Sequence, residues 1–403
     1  SDDGTVTGVS DGSATITAAV GGKSAACTVT VTSFTYEPTA DGAAYALVGF
    51  AGGTATKVSV PAEYLGKPVT EIRAGAFDGC SALLEISVAG SVTKIAQAVF
   101  RDCTALQKIT LPFVGAELTG EQNHHFGYVF GTDGSNANTV PGTLTEVVVT
   151  GGTLLDNNAF KDCRNIRKVT IPDSVTEIRI GAFAGCTSLA DLTLPFVGRV
   201  ASSKNDENQY PLGYIFGTQS VSGIARTEQF FHNVSSTKTE TYYIPYSLKH
   251  VTVTGGNILY GAFSNCTMLT DITVGDGVGY VEESAFSGCN QLEDLAIGDV
   301  TEIAAGALVS CPALVKLTIP FVGSEPFSAA VGSKSLFGYI FASQSYTSGA
   351  DKYEATQQSA HNDAEDTTFS NTFYIPVSLQ QVTVTGGKIL YGAFSACNHL
   401  TKI

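Results

Sequence analysis

The sequence predicts an α/β to mainly β solenoid, in which about eleven short turns stack so that their strands form one parallel sheet. Three observations predict it: a pattern repeated eight times, a near-constant spacing between cysteines, and three long insertions that resemble one another. A chain of 403 residues is long for one compact core, whereas a repeat array escapes that limit because each turn packs only on its neighbours.

The repeated pattern is Ala-Phe-x-x-Cys-x-x-Leu-x-x-Ile-x-Val/Ile. Its eight copies begin at Ala76, Val99, Ala159, Ala182, Ala262, Ala285, Ala307 and Ala393. Cys80 and Cys103 are 23 residues apart, which lies within the roughly 20–29 residues of leucine-rich repeats. We expect a strand at the Leu-x-x-Ile segment, then a corner, a second short extended segment, and a short helical turn at Ala-Phe-x-x-Cys.

Alternation along each strand assigns side chains to two faces. Ile109 and Leu111 point into the core, whereas Lys108 and Thr110 point out. The Ala-Phe position is predicted to stack aromatic rings in one buried column, with Leu308 replacing the ring once. The column contains Phe77, Phe100, Phe160, Phe183, Phe263, Phe286 and Phe394.

Three spacings between strand leucines are too long for one turn. They run from Leu106 to Leu144, from Leu189 to Leu248 and from Leu314 to Leu379. Each insertion opens with Leu/Ile-Pro-Phe-Val-Gly and contains an aromatic segment, FGYVFG, LGYIFG or FGYIFA. This segment either anchors the insertion on the solenoid or contacts a ligand. The polar stretches 202–209 and 348–368 have the composition of loops.

Charge and hydropathy exclude two classes of function. The formal net charge is −15 and no cluster of lysine and arginine exists, so a nucleic-acid partner is not expected. No run of 18 apolar residues occurs, so no membrane insertion is expected within this chain.

No catalytic or metal-binding motif stands out, and we predict a non-enzymatic protein without metal or cofactors. His124 and His125 are adjacent and point apart, and the glycines of GDGVGY fall at a corner and do not open a helix. Eight of the nine cysteines occupy one repeat position. Neighbours there are close enough to bridge, but a ladder of buried free thiols explains a recurring unpaired position better.

The first segment differs in pattern from the repeats. Residues 1–33 alternate in hydrophobicity between Asp-Gly and Gly-Gly turns, which predicts antiparallel hairpins at the end of a β-sandwich. The chain begins inside this segment and stops inside a repeat, so we expect it to be a piece of a longer protein. The predicted domains are therefore 1–33 and 34–403, with an N-terminal cap of the solenoid at 34–70.

The repeat AFxxCxxLxxIxIPxSVxxI, clearest from Ala159 to Ile178, resembles the BspA-like leucine-rich-repeat family of bacterial surface proteins. The resemblance covers about nine-tenths of the chain, and residues 33–70 look like the opening turn of that family. Residues 1–33 resemble the C-terminal part of a bacterial immunoglobulin-like domain. The resemblance implies secretion, display at the bacterial cell surface and adhesion, and it brings no catalytic residues.

Two functions follow as hypotheses. The first is adhesion to a host or neighbouring-cell protein or glycan through the outward strand residues and the insertions; the second is a passive structural spacer that displays other domains. A regular threonine row also occurs in ice-binding sheets, but the charged row beside it argues against that use. The candidate ligand-binding residues are Lys108, Thr110, Lys168, Thr170, Asp191, Thr193, His250 and Thr252 on strands, with Tyr128, Tyr214 and Tyr339 in the insertions.

Overall fold

A computed structural model describes residues 12–20, 23–31, 33–118, 123–132, 136, 139–201, 209–233, 236–327, 332–341, 343, 352–362 and 366–403. The solenoid is organised by one long parallel sheet whose strands follow one another in chain order. Its path contains Lys57–Val60, Glu85–Val88, Lys108–Leu111, Glu146–Val149, Lys168–Thr170, Asp191–Leu194, His250–Ile258, Asp271–Val281, Asp294–Ile297, Lys316–Ile319 and Gln381–Val384. The predicted mainly β solenoid is confirmed.

Side chains alternate along these strands as the period-2 pattern predicts. In Lys108–Leu111, Ile109 and Leu111 are fully buried and the other two residues are half-buried. The register is uniform: Lys108 pairs with Glu85 on one side and with Glu146 on the other. Equivalent residues of successive turns therefore form columns along the sheet.

Smaller sheets form the remaining sides of the turns. A five-stranded sheet at the N-terminal end of the solenoid contains Phe34–Pro38, Tyr45–Phe50, Glu63–Tyr64, Lys67–Ile72 and Lys94–Ile95. The second extended segments pair in parallel as Leu154–Leu155 with Glu177–Ile178, and as the end of Asp271–Val281 with Glu302–Ile303. At the N-terminus, Gly12–Val20 and Lys23–Val31 form an antiparallel hairpin of the kind that the sequence predicts, whereas residues 1–11 of that segment lie outside the described residues.

The Ala-Phe-x-x-Cys segments form single hydrogen-bonded turns, in agreement with the predicted short helical turns, and they do not continue into helices. The Cys80 amide donates to the Phe77 carbonyl, and the Leu83 amide donates to the Cys80 carbonyl. The residue before each cysteine has a positive φ, for example Gly79 at 70° and Asp102 at 58°. This left-handed residue ends the turn before a helix can propagate, which is why glycine, asparagine and aspartate are frequent there.

The core contains the predicted column of phenylalanines. Phe160 and Phe183 stack with ring centroids 5.3 Å apart, and Phe263 and Phe286 stack at 5.4 Å. The eight repeat cysteines are free thiols that lie beside this column, and Cys186 donates to the Phe160 carbonyl at 3.1 Å. Burial raises the pKa of the Cys103 thiol to about 12, so these thiols are unreactive packing groups.

The three insertions, here called insertion 1 (112–143), insertion 2 (195–247) and insertion 3 (320–378), contain short 3₁₀ helices. Insertions 2 and 3 each add an antiparallel hairpin. The 3₁₀ helices are Phe126–Phe130, Leu212–Phe216, Gly332–Ser335 and Phe337–Ile340; hairpin 2 pairs Ile224–Asn233 with Ser236–Pro245, and hairpin 3 pairs Tyr353–Asn362 with Thr367–Pro376.

Hairpin 3 corrects the prediction of a loop at 348–368, because residues 353–362 form a strand. Thr356, Gln358 and Ala360 are buried on one face of that strand. Burial therefore alternates with a period of two, and the polar composition of the segment hides this alternation in the sequence. Of the other predicted loop, residues 202–208 lie outside the described residues.

Candidate binding surfaces

The outward face of the main sheet carries two regular rows of side chains. The first row contains Thr110, Thr170, Thr193 and Thr252, which occupy equivalent positions on their strands. The second row alternates in charge from Lys57 to Asp191, whereas Asp271 and Asp294 are neighbours of like charge. Lys108 contacts Glu146 at 2.8 Å, and His250 Nδ1 lies 3.0 Å from Asp271. This face is polar and its opposite charges lie beside each other.

The aromatic segments of the insertions occupy the Ala-Phe position of the turn, on the other side of the core. The Ala98, Gly181 and Gly306 amides donate to the carbonyls of Tyr128, Tyr214 and Tyr339 respectively, at 3.1–3.2 Å. Phe130 and Phe126 then continue the buried ring column between Phe100 and Phe160. These contacts support the anchoring interpretation of the segment.

The predicted ligand-binding residues therefore fall on two separate surfaces. The eight strand residues lie together on the sheet face. The tyrosines lie next to the Ala-Phe turns, to which their backbone carbonyls are hydrogen-bonded. Tyr214 is only 9% exposed, and Tyr128 and Tyr339 are half-buried. The structure does not bring the tyrosines to the strand residues.

Each insertion is fixed by one buried amide side chain, and no sequence pattern singled these residues out. In insertion 2, Gln229 is 0% exposed; its Oε1 accepts from the Gly213 amide at 2.6 Å, and its Nε2 donates to the carbonyls of Ala262 and Ser264. Gln358 contacts Gly338 and Ser395 in the same way. Asn136 performs this role in insertion 1, where its Oδ1 accepts from the Gly127 amide at 2.5 Å.

These amides satisfy backbone groups that a regular turn would pair by itself. An unpaired buried amide or carbonyl is costly, so each insertion needs such a group at its base. The segment Tyr-Gly-Ala-Phe-Ser, present at Tyr260 and Tyr391, follows only the two insertions with hairpins. Its serine accepts from the hairpin backbone, at 3.0 Å for Ser264 and Phe230. This motif is the sequence signal that could have predicted where the hairpins dock.

A cleft lies between hairpin 2 and insertion 3. One part is a cavity of about 250 Å³, and an adjoining cavity of about 470 Å³ shares the wall residue Glu283. We call the two together the acidic cleft. The first part is lined by His232, Tyr260, Tyr280, Val281, Glu282, Glu283, Glu302 and Ala304. Tyr339, Asn371 and Phe373 belong to the wall of the second part.

Hairpin 2 supplies one aromatic wall of the acidic cleft. The rings of His232 and Tyr260 stack with centroids 3.7 Å apart. Behind them, the Tyr210 hydroxyl accepts from the His232 amide at 2.6 Å, and burial raises the pKa of Tyr210 to about 12. The Tyr260 amide donates to Glu282 at 3.0 Å. The wall is thus held by the hairpin and by the following turn together.

The floor of the acidic cleft combines carboxylates with phenol rings. Tyr280 and Glu302 are direct neighbours on paired strands. Burial raises the pKa of Tyr280, and the nearby Glu282 and Glu302 carboxylates raise it further. The pKa of Tyr339 is raised by burial and then by Glu302 and Glu283. Both phenols therefore remain protonated at neutral pH.

Among the described residues, no group of three or more histidine, cysteine, aspartate or glutamate side chains is arranged to hold a metal ion. Nor is any helix in the described part of the chain long and apolar enough to cross a membrane.

This geometry defines the chain as a repeat solenoid with anchored insertions. The family profile described as BspA type leucine rich repeat region matches six copies over residues 54–126, 153–205 and 228–329, more than half of the chain. The chain belongs to this family of leucine-rich-repeat proteins. Among curated proteins, none matches the sequence.

Several solved structures match this chain at low sequence identity. A leucine rich cell surface protein from Faecalibacterium prausnitzii is 18% identical over 93% of each chain, with a TM-score of 0.27. A leucine-rich repeat protein from Bacteroides ovatus is 20% identical over 73% of this chain and 83% of its own, with a TM-score of 0.26. The pneumococcal vaccine antigen PcpA is 14% identical over 89% of this chain and 88% of its own, with a TM-score of 0.28.

Proposed function

We propose that this chain is a non-enzymatic, extracellular bacterial surface module that binds a host or neighbouring-cell protein or glycan. The observation that carries the proposal is the common base of the three insertions. Each is fixed at the same place in its turn by a buried amide, Asn136, Gln229 or Gln358. A spacer has no need of insertions fixed at one position of the turn, whereas a binding module uses them to build a binding surface on that side.

The relatives support the surface location. The protein from Faecalibacterium prausnitzii is described as a leucine rich cell surface protein, and PcpA is described as a pneumococcal vaccine antigen. We propose the same location for this chain. Two surfaces are then available to a partner, the sheet face and the side that carries the insertions.

The test is binding of three forms of the chain to a panel of extracellular-matrix proteins and host glycans. In the first variant, hairpin tips 232–237 and 361–368 are each replaced by Asn-Gly, which closes a two-residue turn. In the second, Thr193→Arg and Thr252→Arg place bulky charges on the sheet face. Saturable binding by the unmodified chain that is lost in the first variant and retained in the second places the site on the insertions.

The reverse pattern moves the binding site to the sheet face. Absence of binding by the unmodified chain contradicts the proposal and favours the structural spacer. Circular dichroism and thermal unfolding of both variants confirm that each remains folded.

A further inference from the structure

Two exposed carboxylates of the acidic cleft, Glu283 and Glu302, have no counter-charges of their own. Within the described part of the chain, neither of them forms an ion pair. The sequence contains no arginine after Arg226. Between residues 271 and 325 its one lysine, Lys316, contacts Asp294 on the sheet face at 3.6 Å. The cleft therefore holds a concentrated negative charge that its surroundings do not neutralise.

Two other charged groups lie near the acidic cleft. Lys334 is next to the floor, since its carbonyl accepts from the Ser324 amide, but its ammonium makes no ion pair among the described residues. His232 lines the cleft and carries charge only when it is protonated. Lys334 therefore brings one positive charge near the two carboxylates Glu283 and Glu302.

The aromatic rings add a second attraction for a cation. Tyr280 lies beside Glu302, and the stacked pair of His232 and Tyr260 faces the same cavity. The face of an aromatic ring attracts ammonium and guanidinium groups, and the aliphatic parts of lysine and arginine pack against such rings. A carboxylate beside a phenol ring can contact both the charged end and the aliphatic part of a lysine or arginine side chain.

We propose that the acidic cleft binds a cationic segment of a partner polypeptide, whose lysine or arginine side chains lie between Glu283, Glu302 and Tyr280. This inference rests on the proposed binding function and names the chemistry of the partner. An acidic glycan would be repelled, and a neutral glycan would gain nothing from unpaired carboxylates. The cleft extends from hairpin 2 to Asn371 of hairpin 3, which suits an extended chain.

The test measures binding of fluorescein-labelled hexalysine by anisotropy in about 0.05 M salt, where charge attraction is screened least. We expect saturable binding that weakens as salt is raised. The double variant Glu283→Gln/Glu302→Gln should weaken it about tenfold, because two ion pairs are removed. Tyr280→Leu should weaken it about threefold.

The matched control is Glu37→Gln/Glu63→Gln, which makes the same change in net charge at two exposed positions in the cap. It should leave the affinity within about twofold. Equal weakening by both double variants would mean attraction to net charge alone and would overturn the inference. So would the absence of saturable binding by the unmodified chain.

This result is independent of the matrix and glycan panel. If panel binding depends on the hairpin tips while hexalysine does not bind, the proposed function stands and the cationic partner is wrong. If hexalysine binds through Glu283 and Glu302 while no panel member binds, the cationic specificity stands and adhesion to those host molecules is wrong.

Discussion

The sheet face and the acidic cleft both carry charged side chains at regular spacing, but they use them differently. On the sheet face, opposite charges are neighbours: Lys57 contacts Glu85 at 2.9 Å, and Lys108 contacts Glu146 at 2.8 Å. In the cleft, Glu283 and Glu302 have no such neighbours among the described residues. A solenoid repeats the geometry of its turns, while the order of charges decides which surface is left for a partner.

In earlier turns, on the side of the second extended segments, carboxylates are paired with arginines. There, Arg199 contacts Glu177 at 2.7 Å and Arg179 contacts Asp156 at 2.8 Å. Arginine therefore neutralises this side through residue 199. The later turns carry glutamate at corresponding places but no arginine. The negative charge of the cleft therefore comes from the absence of arginine on this side of the later turns.

The largest expected effect is loss of stability at alkaline pH. Burial raises the pKa of Tyr210 and of Cys103 to about 12, whereas the unfolded groups ionise near 10.0 and 9.0. Because the folded pKa values are raised, this stabilisation is complete below the unfolded values and is lost as pH rises. Each such group should lower the free energy of unfolding by about 1.4 kcal/mol per pH unit in that range.

Urea unfolding between about pH 8 and pH 11, with tyrosine ionisation followed by absorbance, measures this loss. Among the described tyrosines with raised pKa, Tyr210, Tyr214, Tyr242 and Tyr339 lie in the insertions and Tyr280 lies at the end of strand Asp271–Val281. A free energy of unfolding that stays constant up to pH 11 would contradict the burial of these groups.

The next largest effect on stability is expected from changing Gln229, which holds hairpin 2 and so one wall of the acidic cleft. Gln229→Leu removes the hydrogen bonds to Gly213, Ala262 and Ser264 and leaves those backbone groups buried without partners. We expect a loss of about 2–4 kcal/mol in unfolding free energy. Gln380→Leu, at an exposed position, is the control and should change stability by no more than about 0.5 kcal/mol. Equal effects would mean that the amide does not hold the hairpin.

The smallest effect compares the two surfaces directly. Glu146→Gln breaks an ion pair on the sheet face and should cost about 0.2–1 kcal/mol. Glu302→Gln breaks none and removes a charge from an acidic neighbourhood, so stability should stay the same or rise slightly. Denaturant unfolding in parallel gives the two values. A larger loss for Glu302→Gln than for Glu146→Gln would reverse the comparison.

The repeat could be predicted from the sequence because it depends on local periodicity. Cysteine spacing predicts the turn, and alternation predicts which strand residues point out, so the columns of Lys108 and Thr110 were correct in register. The buried amides could not be predicted: Asn136 and Gln229 lie in insertions of different length, and their partners are distant backbone groups. The cleft depends on how hairpin 2 packs beside a later turn, which no local pattern encodes.

The most direct test of where a partner binds is hydrogen–deuterium exchange of the whole chain with and without hexalysine. We predict slower exchange in segments 226–233, 258–262, 280–284 and 302–306, which form the acidic cleft, and unchanged exchange in the central strands of the main sheet. Protection confined to strands such as Lys108–Leu111 and Asp191–Leu194 would contradict the account and place the binding surface on the sheet face.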